Sequence, residues 1–446
     1  MSTSGSDISA LWNARSIAVV GASDKPGSTG GRVLDYLRRG GFAGRVVPVH
    51  PSAATVRGLP ATVSLTAVEP VELALLLVPA ARVPDALDDC LAAGVRTVII
   101  GASGFAETGD AATERELADR AAAAGARLLG PNCIGSANLH TGLVASFSPF
   151  FTAGIPAPSG LAMVSHSGGL GFGIAGLAAE RGLAPGRIVT TGNEADIGAG
   201  EVLCALAESE DCTGLLAYLE SIPDPKWLAR LHATGKPAAA LYAAPHSRGN
   251  ATGSGMEEAA RVLPQYGIAL AHDVDELLDL ACGFGTPPPA GPRVGVVTTS
   301  GGAGHLAVQA IIGSGLILPP PAEATRTALS QLLPDYATIG NPVDVTASAA
   351  SNESLLTRAL SIMLADENLD TVLVCLCVLA GRQAEQVATA IAEAAGNKPI
   401  LVSRTGSREL APGFDARLAA AGVGVYPSPG RAVAALSARR QTFQRK

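Results

Sequence analysis

Residues 16–23 read Ser-Ile-Ala-Val-Val-Gly-Ala-Ser, and the fold turns on how this run is taken. Its apolar part is too short for a helix, rich in β-branched residues and closed by glycine, so it reads as a buried strand. Gly21 then opens a tight turn, and the apolar spacing through Leu37 reads as a helix. The same opening returns at 161–173, L-A-M-V-S-H-S-G-G-L-G-F-G, and at 293–307, R-V-G-V-V-T-T-S-G-G-A-G-H-L-A. Strand, glycine turn and helix begin a βα unit, and this chain begins one three times.

Further strands follow each opening. The first block continues through R-V-V-P-V-H-P (45–51), L-A-L-L-L-V-P (73–79), R-T-V-I-I-G-A (96–102) and R-L-L-G-P-N-C (127–133). The second runs through R-I-V-T-T-G-N-E-A-D, G-L-L-A-Y-L-E and P-A-A-A-L-Y, and the third through T-V-L-V-C-L-C, K-P-I-L-V-S and G-V-G-V-Y-P-S-P. Short apolar strands alternating with helical stretches predict an α/β fold of parallel, doubly wound sheets. Residues 146–160 and 286–292 are rich in Pro and Gly, lack periodicity and read as linkers. We therefore expect three parallel-sheet domains in series. A Rossmann-like domain (1–146) precedes two flavodoxin-like domains (158–286 and 292–446), which look like diverged copies of one fold.

Composition narrows the class. The 446 residues are 48% hydrophobic but 4% aromatic and 16% charged, as stacked βαβ units require. The net charge of −7, without a basic cluster, argues against a nucleic-acid partner. Neither a signal peptide nor a membrane-length apolar run occurs, so a cytoplasmic protein without a membrane partner is expected. The seven cysteines sit mostly in apolar segments with no CxxC pair, which predicts buried thiols and no metal site. Cys133 reads as packed core. Asp344, in N-P-V-D, reads as a turn or cap residue, and His305 as a helix-start histidine.

The turn Gly21-Ala22-Ser23-Asp24-Lys25-Pro26-Gly27-Ser28 joins a strand to a helix N-terminus, where backbone N–H groups and the dipole favour a phosphate. It is not a G-x-G-x-x-G loop. The second strand ends in His50-Pro51-Ser52, with no acidic residue for a ribose, so a redox dinucleotide is disfavoured.

These segments resemble the NDP-forming acyl-CoA synthetases, relatives of the succinyl-CoA synthetase α subunit. The likeness rests on S-I-A-V-V-G-A-S-D-K-P-G, G-G-F-A-G-R-V-V-P-V, G-F-A-E-T-G and G-P-N-C-I-G in the first block. Later it rests on V-S-H-S-G-G-L-G, T-G-N-E-A-D, G-N-P-V-D-V-T and V-Y-P-S-P. It covers essentially the whole chain in order. The resemblance implies a CoA-binding domain followed by two ligase domains. CoA would lie along Gly21, Ser23, Lys25, Pro26, Gly27 and Ser28, near His50, Ser103 and Asn132. The family often has Asn-Pro-Lys where this chain has His50-Pro51-Ser52, so a cation is missing there, and His50 replaces it only when protonated.

The resemblance further implies a phosphate cradle at Ser165, His166, Ser167, Gly168 and Gly169, with Asn193 and Glu194 nearby and Asp196 in the same turn. Glu220 matches the carboxylate that orients a catalytic histidine in the family. That histidine is absent: aligned on Thr-Gly, its position holds Ala251, which carries no nucleophile. His166 and His246 are the candidate substitutes. The reading is a CoA-binding, acyl-CoA synthetase-like enzyme acting on a small carboxylate or acyl phosphate without the phosphohistidine relay. A carbamoyl or acyl transferase is a variant of it, and a noncatalytic CoA or acyl-CoA sensor or scaffold is the alternative. A separate ATP-grasp β chain and a homo-oligomer are the expected assemblies.

Overall fold

The computed structural model describes residues 7–244, 254–345, 353–396 and 398–444. The chain divides into two compact units. One comprises the described residues up to Glu180 with Ala184–Lys236 and Ala240–Ala259. The other comprises Arg181–Leu183, Pro237–Ala239 and the residues from Ala260 onward.

In the first unit the predicted opening forms as read. Ser16–Val20 is a wholly buried strand, and helix Thr29–Arg39 follows with Ser28 as its N-cap. The parallel sheet runs Arg45–Val49, Ser16–Val20, Leu73–Leu76, Thr97–Ile100, Arg127–Leu129 in space. Outside Arg45–Val49 a single parallel bridge joins Val49 to Thr62. It stands where the third strand of a Rossmann order would run. All five strand C-termini open on one edge, which is where open α/β sheets hold ligands.

A second sheet in this unit places Gly214–Leu219, Ser159–Ser165 and Pro185–Thr190 side by side and parallel. The antiparallel hairpin Gly135–Asn138/Leu143–Ser146 completes its edge against Pro185–Thr190. This hairpin was expected to belong to the first domain, yet its ladder lies with the second sheet. The stretch 146–160, read as a linker, is packed as well. Phe151 in the turn Pro149–Phe151 is fully buried, 5.6 Å from the Tyr36 ring and 5.6 Å from that of Phe172. Apolar periodicity could not reveal this, because the anchor is a single aromatic pair in an irregular segment.

The second unit carries its own parallel sheet, ordered Val343–Asp344, Val294–Thr298, Thr371–Cys377, Ile400–Thr405, Gly424–Tyr426. That is the second-first-third-fourth-fifth order of flavodoxin-like sheets. Helix Gly301–Gly313 follows the first strand of this sheet, with His305 exposed near its start and Asp344 close to its first turn. All seven cysteines are free and six are buried, as expected. Cys133 is among them, and burial pushes its thiol up to about 12. No described helix is long and apolar enough to cross a membrane.

Phe151→Ala should destabilise the fold by about 3–5 kcal/mol, the cost of removing a fully buried aromatic ring. Urea unfolding followed by circular dichroism measures it; a loss below about 1 kcal/mol would show that the 146–160 segment is a passive linker.

Candidate functional site

The first loop is built for close approach. Gly21 has φ +92°, and a Cβ there would stand 2.5 Å from the Leu77 carbonyl oxygen. At Gly30 the obstacle is the Gly21 carbonyl oxygen, 2.3 Å from a would-be Cβ, so the helix start sits directly on the turn. Ser28 Oγ accepts from the Gly31 N–H (3.2 Å) and donates to the Ser23 carbonyl (3.0 Å), while the Lys25 N–H donates to Ser23 Oγ (3.2 Å). Lys25, Pro26 and Gly27 are exposed at the rim.

His50 has a different role from the one expected. Its Nδ1 accepts from the backbone N–H groups of Ser52 (3.1 Å) and Ala53 (2.9 Å). Through these two bonds the His50 ring caps the turn that follows Arg45–Val49. Ser103 is exposed on the turn after Thr97–Ile100. Asn132, at φ +58°, donates from Nδ2 to Asn193 Oδ1 at 3.1 Å.

The second cluster lies at the C-terminal end of Ser159–Ser165. Ser165 is buried, and its Oγ donates to the Ser167 carbonyl (2.6 Å). Ser167 caps helix Gly168–Glu180: its Oγ accepts from the Leu170 N–H (3.4 Å). Gly169 is exposed, with nothing within 4 Å of where a Cβ would be.

His166 sits between two fixed partners. Its Nδ1 accepts from the Glu220 backbone N–H at 2.8 Å, so the ring proton lies on Nε2, which is 2.9 Å from Glu194 Oε1. The Glu194 carboxylate also accepts from the Ala199 N–H (2.7 Å), at the start of helix Ala199–Ala207. Burial works to raise the Glu194 carboxyl. Hydrogen bonds from His166, Thr191 and Ala199 outweigh it and hold the group below its ordinary 4.5. Glu220 thus meets His166 through its main chain, while its carboxylate pairs with the Tyr218 hydroxyl. His246 and Ala251 lie outside the described residues.

Sequence reasoning missed what holds Glu194 in place. The stretch 193–197 runs along 128–131: N–H groups of Asn193, Ala195 and Ile197 donate to the carbonyls of Pro131, Gly130 and Leu128 at 2.9–3.0 Å. Arg127 closes the seam, with Nε 2.9 Å from Asp196 and two 2.9 Å bonds to Glu201. No periodicity signals an irregular strip laid against a strand end. Beside His166 opens a cleft of about 690 Å³, lined among others by Arg127, Gly198, Ile222, Lys226 and Trp227. Its cations are already matched: Arg127 as above, Lys226 by Asp224 at 3.5 Å and Arg230 by Glu208 at 2.6 Å. Its walls thus carry the carboxylates of Glu194, Asp196, Glu201 and Asp224 beside these cations.

The Glu194 arrangement has a pH signature. A carboxyl held low in the fold contributes stability that is complete above its unfolded value and is lost as pH falls through 4.5 and below. Glu194→Gln keeps the shape but removes the titration. The acid loss of stability below pH about 4.5 should therefore be smaller in the variant than in the parent. Urea midpoints across a pH series read it, and superimposable acid limbs would contradict the assignment.

Comparison with known proteins agrees with this geometry. Residues 15–138 match the CoA binding domain family, and residues 158–284 match the succinyl-CoA ligase like flavodoxin domain. The chain is 33% identical over 414 residues to the α subunit of acetate–CoA ligase [ADP-forming] II of Pyrococcus furiosus, covering 88% of each. It is 32% identical over 456 residues to the α subunit of ligase I of the same organism, covering 97% of this chain and 96% of the relative. Among solved structures, the apo dinucleotide forming acetyl-coenzyme A synthetase 1 of Ca. Korarchaeum cryptofilum superposes with a TM-score of 0.87 at 29% identity, covering 98% of both chains. The cradle, the Glu194 turn and the CoA-type loop stand on a fold these proteins share from end to end. The chain belongs to the family of the ADP-forming acetate–CoA ligase α subunits, acid–thiol ligases.

Proposed function

We propose that this chain joins an acyl group to CoA by direct attack of the CoA thiol on an acyl phosphate, without a phosphohistidine relay. The observation that carries the reading is the pairing of a phosphate-type cradle at Ser165–Gly169 with Ala251 where the family relay needs a histidine. In the step, the thiol sulfur forms a bond to the acyl carbon and the bond from that carbon to the phosphate oxygen breaks. The thiol proton leaves with inorganic phosphate. Backbone N–H groups at the start of helix Gly168–Glu180 would stabilise the leaving phosphate.

His166 and Glu220, with His246, are the side chains proposed for proton handling. The His166 Nε2–Glu194 pair makes a proton path plausible only if one ring nitrogen gives up its present partner. CoA would lie along Gly21–Ser28, Ser103 and Asn132, with Asn193 and Glu194 at the junction. The domains proposed are 1–146, 158–286 and 292–446, in a cytoplasmic protein that forms a homo-oligomer. The substrate is a small carboxylate or its acyl phosphate, and an ATP-grasp β chain is the partner that would make the latter. Ala251 itself favours the second reading, a CoA or acyl-CoA sensor that kept the fold.

Two experiments separate these readings. Incubation with labelled ATP and a β chain should leave no acid-labile label on this chain; label that disappears on replacing His246 or His166 would establish a substitute relay. Acyl transfer from an acyl phosphate to CoA should occur in the parent and drop by about 10²-fold or more in His166→Ala, with CoA binding retained. No thioester from the parent across a broad acyl panel would leave only the sensor.

A further inference from the structure

The second strand ends in His50-Pro51-Ser52, with no lysine or arginine among them. We propose that the Arg57 guanidinium supplies the missing cation by binding a phosphate group of CoA. Arg57 lies in the turn between the two-residue strands Thr55–Val56 and Leu59–Pro60, at φ +52°, ahead of Gly58 at φ +78°. A non-glycine residue holds that conformation only where its surroundings impose it. Here the surroundings do so from both sides. The Arg57 N–H donates to Asp24 Oδ1 at 2.8 Å, tying the turn to the Gly21–Ser28 loop, and the Arg38 guanidinium donates to the Arg57 carbonyl.

The side chain is aimed at the helix start. Arg57 Nη2 stands 2.8 Å from where a Gly31 Cβ would be, and Ser28 Oγ is 2.6 Å from the same point. Gly31 is in the first turn of Thr29–Arg39, whose N-cap is Ser28, so the guanidinium lies beside the start of the helix that follows the Gly21–Ser28 loop. The guanidinium pairs with Asp35, Nε to Oδ2 at 3.5 Å, but among the described residues its buried Nε makes no hydrogen bond. The side chain is 27% exposed. The Asp35 pair is longer than a hydrogen bond and leaves the planar fork able to donate to a phosphate, which accepts from two of its N–H groups at once. Asp24 is already committed to the turn, while Lys25, Arg32 and Arg38 keep the rim positive. Sequence alignment of a lysine position could not find this residue, because the cation comes from a different point on the hairpin.

This inference rests on the CoA reading of the first domain, and its test separates the two. CoA and dephospho-CoA are titrated calorimetrically into the full chain, its Arg57→Met and Arg57→Gly variants, and Arg57→Lys. Glycine adopts the positive φ without strain, so the Gly variant retains the turn even if the Met variant does not. Both variants should bind CoA about tenfold or more weakly, with a shallower dependence on salt. Lysine should restore only part of the loss, since it lacks the planar fork. An equal loss toward dephospho-CoA assigns the contact to the diphosphate, and a loss confined to CoA assigns it to the 3′-phosphate. Binding by folded Met and Gly variants within about twofold of the parent overturns the role of Arg57. No CoA binding by the parent overturns the CoA reading itself.

Discussion

Arg127 and the backbone seam beside it are the constraint on which the candidate site depends. The last strand of the first sheet, Arg127–Leu129, carries both the guanidinium that grips Asp196 and Glu201 and the carbonyls that receive 193–197. The Glu201 hydrogen bonds do most to push the Arg127 guanidinium further up, so the charge cannot be lost at any working pH. With that strip fixed, Glu194 is held at φ +61°, and its carboxylate reaches both His166 and the start of helix Ala199–Ala207. Loosen the seam and the carboxylate loses its direction.

From this follows a division of charge across the site. The carboxylate side faces an acid-walled cleft whose cations are spent on internal pairs. On the Ser167–Gly169 side, Gly169 is exposed at the start of helix Gly168–Glu180. His166 stands at the boundary with one nitrogen turned to each wall, so any proton that crosses has to displace a hydrogen bond already made.

The first sheet places its anion-type loop on the same strand-end edge as Asn132, which touches Asn193. The CoA-type loop and the acyl-type cradle are thus connected through Gly130–Asn132 rather than through a shared helix. Ala251 is where the family resemblance calls for the relay histidine, and the short connections through Gly130–Asn132 do not involve it.

Much of this was legible in the sequence. Three strand–glycine–helix openings, at Gly21, at Ser165–Gly169 and at Ser300–Gly304, determined the parallel sheets, because buried β-branched runs and φ-permissive turns leave the backbone few alternatives. The cradle residues and Glu194 were named from the family resemblance, and Ala251 is a fact of the sequence alone. The tertiary structure decided what local pattern cannot carry. It assigned the 135–146 hairpin to the second sheet, where its free edge finds Pro185–Thr190, and it turned an irregular Pro/Gly segment into the seat of Phe151. It made His50 a turn cap, through two backbone N–H groups that only the folded turn aims at Nδ1. Arg57 and Arg127 act on partners far from them in the chain or across a turn, and such pairings exist only once the chain has closed on itself.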